Sequence, residues 1–235
     1  KDGGRYVGFR FPAATFDLTP LLALDVQNLD VRGVRLHDLT PVLKLKLRVL
    51  GLTRVPVYSL APFAEMPLTS LLMYEVPITT LEPIAKLRLE SYFVIKCRIP
   101  DVTPLKDMPL TTLDLQDGVN DLGPVLDKKL KSFHTVNRLP DLGVLKGMPV
   151  EDLSIPLRSY SYEPEEKLLK SLPLKVLNGQ PVEEFWKKVA DKRKADQAFV
   201  ESMGNVVKGL LSWFGRRGCV MDGFRAGMEV RSVRA

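Results

Sequence analysis

Asp101-Val-Thr-Pro-Leu-Lys-Asp-Met-Pro-Leu-Thr-Thr-Leu-Asp-Leu115 is the stretch that decides the fold. Its end, Leu110-Thr-Thr-Leu113-Asp-Leu115, alternates apolar and polar residues, which suits a short strand with Leu113 and Leu115 turned into a core. Its start places an oxygen acceptor three residues before a proline. Such a side chain caps a turn by accepting a backbone N–H two residues on. The proline presets φ and opens a tight 3₁₀ or extended segment.

The same wording recurs along the chain. Pro20, Pro41, Pro62, Pro83 and Pro104 stand 21 residues apart, and Pro124, Val144 and Pro164 continue at intervals of 20. Three residues before these anchors stand Asp17, Asp38, Ser59, Thr80, Asp101, Asp121, Asp141 and Ser161, all short oxygen acceptors. Nine after them stand Leu29, Leu50, Leu71, Tyr92, Leu113, Phe133 and Leu153, with Leu177 displaced by a four-residue insertion. In a chain that is 45% apolar, eight apolar residues at one register arise by chance in roughly 0.2% of trials, and several such registers coincide. A unit of 20–21 residues has no room for a strand, two turns and a three-turn helix. The spacing therefore predicts stacked units, with a parallel β-sheet on one, concave face and 3₁₀ or irregular structure on the convex face. No unit buries its apolar face alone, so neighbours share stability.

Composition follows from this register. The 235 residues carry 26% charged residues and a net charge of +6, enough apolar material for a large core and too much for a disordered chain. Of the 38 leucines, 36 lie before Asn178, and no proline follows Pro181. From Glu183 on there are 11 basic and 7 acidic residues, so this end carries +4 of the +6. Two cysteines, Cys97 and Cys219, make no disulfide framework or zinc motif, and two histidines, His37 and His134, are few for metal or nucleophile–base chemistry. We read no catalytic constellation, no cofactor site and no metal site. No apolar run approaches the roughly 18 residues of a membrane span, and these residues contain no signal peptide; the compartment is left open, with the cytoplasm slightly favoured.

The motifs resemble bacterial leucine-rich repeats. Asp38-Leu-Thr-Pro-Val42, Asp101-Val-Thr-Pro-Leu105 with Met108-Pro-Leu110, and Gly147-Met-Pro-Val150 carry the resemblance. Their wording is similar to repeats of planctomycete-type proteins, some joined to serine/threonine protein kinase domains. Asn178-Gly-Gln-Pro-Val-Glu-Glu-Phe-Trp186 resembles the segment that closes such arrays. The resemblance covers about residues 16–187. It implies an α/β repeat solenoid and, since such repeats mostly bind proteins, a protein-interaction module. A sensory or substrate-docking region of a kinase is the alternative, with any kinase activity outside these residues. The chain departs from the usual pattern after the strand, where Val55, Val76, Cys97 and Gly118 replace an asparagine ladder. The loop there is expected to lack side-chain amide support.

We divide the chain into an incomplete edge unit (1–15), about eight repeats (16–180), a capping and amphipathic helix (181–214) and a disordered basic tail (215–235). Val7, Phe9 and Phe11 alternate, so residues 5–11 are expected as an edge strand. An exposed edge and a start at Lys1 lead us to expect a fragment of a larger bacterial protein. Pro181 suits the first turn of the C-terminal helix. Val182, Phe185, Trp186 and Val189 share the face that would cover the last repeat. Apolar positions continue through Phe199, Met203, Val206, Leu210 and Phe214.

Residues between the inward leucines face the concave side. Leu72, Tyr74, Phe93 and Ile95 form an apolar patch there, read either as a docking surface for a protein or as ordinary sheet packing. Arg54, Glu75, Lys96 and Asp117 alternate in sign, read as a self-neutralising concave ladder or as a ligand-binding pattern. His134 near Asp114 and Asp152 has no nucleophile at a recognisable spacing and is read as a solvated surface histidine. Cys97 is read as a buried repeat residue; Cys219 sits in no strong lipidation motif. Segment 206–217 has aromatic and basic ends and is weighed as a membrane contact against packing on the solenoid or a partner. Basic residues are not interleaved with aromatics, so no nucleic acid is expected.

Overall fold

The inward row of each unit sits where the 21-residue register places it. The computed structural model describes residues 6–10, 19–33, 40–116, 119, 121–126, 129–139, 141–157 and 163–216. Among them are ten strands: β1 (Tyr6–Arg10), β2 (Asn28–Arg32), β3 (Val49–Thr53), β4 (Ser70–Tyr74), β5 (Ser91–Ile95), β6 (Thr112–Gln116), β7 (Ser132–Thr135), β8 (Asp152–Ser154), β9 (Val176–Leu177) and β10 (Gln180–Pro181). They form one sheet in chain order, and β1 to β9 are parallel. Leu29, Leu50, Leu71, Tyr92, Leu113, Phe133, Leu153 and Leu177 pair in unbroken register, and all are buried. This row, with Val31, Leu52, Met73, Val94 and Leu115 beside it, is the spine of the core.

Backbone carbonyls tie each unit to the next at the strand entrance. Arg48 O accepts from both Thr69 N and Ser70 N, and Thr69 O, Glu90 O, Thr111 O, Lys131 O and Glu151 O repeat the arrangement. On the convex side the oxygen acceptors cap their turns as the spacing predicts. Ser59 Oγ accepts from Ala61 N, Thr80 Oγ1 from Glu82 N, Asp101 Oδ1 from Thr103 N, Asp121 Oδ1 from Gly123 N and Asp141 Oδ1 from Gly143 N, at 2.8–3.2 Å. Short 3₁₀ segments follow at Ala61–Phe63, Glu82–Ile84, Thr103–Leu105 and Leu142–Leu145. Two units form a single, wider α-turn instead, α1 (Thr40–Leu43) and α2 (Gly123–Leu126). In the last unit the inserted residues lengthen the convex side into a real helix, α3 (Glu163–Ser171), with Pro164 in its first turn.

The loops after the strands correct one expectation. Val55, Val76 and Cys97 are buried, and backbone bonds hold two of their loops, from Val57 N to Val55 O and from Ile78 N to Val76 O. Side-chain amides do hold two later loops. Asn137 Oδ1 accepts from Val119 N at 3.0 Å, and Asn178 Oδ1 accepts from Ile155 N at 2.9 Å. Counted from the inward row, Val55 stands five residues after Leu50, whereas Asn137 stands four after Phe133 and Asn178 one after Leu177, because those units are shorter or carry the insertion. Gly118 lies outside the described residues.

The array is closed by α4 (Val182–Arg216), which starts one residue later than expected because Pro181 pairs in β10. Phe185 and Val189 are buried, Val182 and Trp186 pack on the core, and the Phe185 and Trp186 rings meet edge to face at 5.1 Å. Lys170 of α3 sits 4.9 Å above the Trp186 ring, and Glu166 binds both Lys170 and Arg193, fastening α4 to α3. The helix backbone runs on to Arg216; the remainder of the tail, Cys219 included, lies outside the described residues. No helix among the described residues is long and apolar enough to cross a membrane.

Candidate functional site

The concave sheet divides into three zones along its length. The first is closed by its own side chains. Asp30 is buried, and Arg32 donates to its Oδ2 from Nε at 2.8 Å and from a terminal nitrogen at 2.6 Å. The carboxylate leans over Gly51 on the next strand, where a Cβ would lie 2.9 Å from Asp30 Oδ1. A side chain at 51 would therefore require the Asp30 carboxylate to shift, a matter of close approach and not of the φ angle of Gly51.

The second zone holds the apolar patch. Leu72 pairs with Phe93 and Tyr74 with Ile95 across β4 and β5, so the four side chains form a two-by-two block on one face. All four are half-buried. Tyr74 is covered from two sides, by the Arg54 guanidinium 5.5 Å from the ring centre and by Lys96 Nζ at 5.4 Å. Lys96 also donates to the Tyr74 hydroxyl at 3.3 Å. The open part of the patch is thus Leu72, Phe93 and Ile95, with Tyr74 as its cation-capped edge.

The charge row lies at that edge and not on the sheet face. Arg54, Glu75 and Lys96 each follow a strand and adopt left-handed backbone, with φ of 54°, 52° and 57°, in line with Gly33 at 65°. There the backbone N–H of Arg54 donates to Tyr74 O, and that of Glu75 to Ile95 O. Non-glycine residues adopt this region only when the surroundings hold them. Glu75 joins its neighbours, accepting from Arg54 Nε at 2.6 Å and from Lys96 Nζ at 3.1 Å. The Arg54 hydrogen bond, then that of Lys96, holds the Glu75 carboxyl down at about 2. Asp117 lies outside the described residues. Beside this corner a recess of about 300 Å³ is lined by Glu75, Val76, Pro77, Lys96 and Arg98 among others.

The third zone is polar, and it overturns the reading of His134 as a solvated side chain. Its side chain is 28% exposed and lies between two carboxylates from the flanking strands, Nδ1 3.7 Å from Asp114 Oδ2 and Nε2 3.0 Å from Asp152 Oδ1. The Asp152 contact is an ion pair and not an aligned hydrogen bond. Gln116 Nε2 fixes Asp114 from the other side at 2.7 Å. Asp114 foremost, with Asp152, raises the imidazole pKa to about 9 against the opposing effect of burial. The ring is an imidazolium at neutral pH, which suits an ionic clamp and not a general base.

Among the described residues, no group of three or more His, Cys, Asp or Glu side chains could hold a metal ion. Cys97 is buried, its Sγ donating to Ile95 O at 3.4 Å.

The described geometry is that of a leucine-rich repeat. It is similar to the crystal structure of an internalin from Listeria monocytogenes, with a TM-score of 0.54 and 24% sequence identity. The match covers 70% of this chain and 51% of that one, so this chain spans about half of that structure's length. At this identity the likeness speaks for the fold. No protein-family model and no curated protein matches the sequence.

Proposed function

We propose that the chain is a non-catalytic leucine-rich repeat module that binds a protein partner on its concave sheet, centred on Leu72, Phe93 and Ile95 and edged by Tyr74. The supporting observation is the two-by-two apolar block of β4 and β5, set between the closed Asp30–Arg32 zone and the clamped His134 zone. Half-buried apolar side chains in a fixed frame bind with little ordering cost, and a polar rim orients the partner. Arg54, Glu75 and Lys96 supply that rim by holding the strand-exit corner.

The test pairs the wild-type chain with a Tyr74→Ala/Phe93→Ala variant as bait and quantifies the retained proteins. A partner held by the wild type and lost at least tenfold in the variant, with the melting midpoint little changed, supports the reading. Equal retention by both sinks it. The second reading, docking for a serine/threonine protein kinase, is supported by the wording of the repeats; a kinase domain encoded upstream of Lys1 would favour it. Peripheral membrane association through segment 206–217, with Lys208, Arg216 and Arg217, finds less support, because a single segment of this kind anchors weakly.

A further inference from the structure

The strand-exit corner beside the apolar block holds a cation that the array itself leaves unpaired. After β3 and β4 the third residue past the strand is a proline, Pro56 and Pro77. Backbone bonds close the turns there, from Val57 N to Val55 O and from Ile78 N to Val76 O. After β5 the same position is Arg98, which stands in left-handed backbone at a φ of 55°. A long side chain at such a φ is strained unless its surroundings hold it. Arg98 is exposed, and its guanidinium has no hydrogen-bond or ion-pair partner among the described residues. Its charge is therefore uncompensated.

Arg98 lines the recess of about 300 Å³ between the loops after β4 and β5. Buried Val76, Ile78 and Cys97 form part of its wall, and Lys96 brings a second cation. The carboxylate there, Glu75, is already held between Arg54 and Lys96. Lys96 has three donors, of which its contacts with Tyr74 and Glu75 take two. Even with Asp117 counted from the sequence, Arg54, Lys96 and Arg98 outnumber the acids Glu75 and Asp117 three to two. The other flank of the block has the opposite sign. Phe93 pairs with Asp114, and Asp114, the His134 imidazolium and Asp152 sum to one negative charge. A partner's acid is therefore drawn to the corner and not toward β6. Reach agrees. Lys96 Nζ lies 5.4 Å from the centre of the Tyr74 ring, the edge of the block. In an extended segment, side chains two residues apart face the same way about 6.6–7 Å apart.

We propose that the partner of the concave sheet presents an extended segment with an apolar anchor and, two residues away, an Asp or Glu. The anchor packs on Leu72, Phe93 and Ile95, and the carboxylate seats on Arg98 and Lys96 at the strand-exit recess. This rests on the concave docking reading and names the chemistry of its partner. The anchor supplies the contact area, and the acid fixes which way the segment lies across β4 and β5.

Selection of random peptides of about 12 residues from a display library, on the immobilised 235-residue chain, tests this. The expected consensus has Asp or Glu two residues from an aromatic or branched aliphatic residue. Its affinity, read by fluorescence polarisation, should fall at least about fivefold in Arg98→Glu and stay within about twofold in Arg98→Lys. Arg98 is exposed, so the melting midpoint should stay at the wild-type value in both variants. Raising NaCl from about 50 to 500 mM should weaken binding to the wild type more than to Arg98→Glu. A consensus without an acid, or equal affinity for the wild type and Arg98→Glu, overturns the proposal and leaves the concave reading standing. Peptides that bind Tyr74→Ala/Phe93→Ala as well as the wild type, or a library that enriches nothing, remove the concave reading and the proposal with it.

Discussion

His134 shows how a residue on a repeat face can serve stability in place of chemistry. Its imidazolium lies between Asp114 and Asp152, one from each flanking strand. The folded pKa of about 9 exceeds the ordinary 6.5. A raised cationic pKa contributes stability that is fully present below pH 6.5 and is lost as pH rises through 9. Partial exposure and screening reduce the contribution to on the order of 1 kcal/mol. Urea melts of the wild type and His134→Gln should therefore differ by about that amount at pH 6 and converge at pH 10. Subtracting the variant removes the contribution of lysines that titrate nearby, so a difference independent of pH would refute the clamp. Sequence spacing placed His134 beside both carboxylates on adjacent strands. It could not say that the ring is held between them, because register fixes the strand position and leaves the rotamer open. The lean of Asp30 over Gly51 escaped for the same reason. The left-handed corner at Arg54, Glu75 and Lys96 escaped for another: none of these residue types favours positive φ, and at Arg54 and Glu75 a backbone hydrogen bond to the next strand holds it.

At the scale of the strand, the alternating Leu110–Leu115 segment is fully expressed in the structure. Leu113 is completely buried between Tyr92 and Phe133 on the inward row. Aromatic neighbours on both sides are too rigid to collapse into the space a smaller residue leaves, so Leu113→Ala should cost about 2–5 kcal/mol. A urea midpoint close to wild type would show that the inward row is not what holds the units together. The strand and its turn were legible in sequence because each rests on local physics. Period-two alternation selects the buried face, and a short acceptor two residues before a free N–H closes the turn. The loop after the strand was less legible. Asn137 and Asn178 support it only across unit boundaries, in units whose length departs from the register, so no fixed offset from the inward row reveals them.

Across the described residues, stability is distributed along one axis of stacked units. Each unit touches chiefly its neighbours, so opening is expected to begin at a weakly covered end and propagate. The C-terminal end is covered by Phe185, Trp186 and Val189, and α4 is pinned beside them by the Glu166–Arg193 pair. Phe185→Ala removes the most buried aromatic of that cap and leaves every inward leucine in place. Amide exchange should then rise in β8 and β9 by tenfold or more, fall off toward β6, and stay at the wild-type level in β3 to β5. A uniform rise across the sheet would mean that the array melts as a single block and that the cap contributes only to global stability. A rise confined to α4 would mean that the last repeats hold themselves closed. The gradient is the outcome that nearest-neighbour coupling requires. It also bears on binding, because the apolar block of β4 and β5 sits three strands inward from β8. Its rigidity should survive loss of the cap, so partner affinity at Leu72 and Phe93 should be unchanged in the same variant.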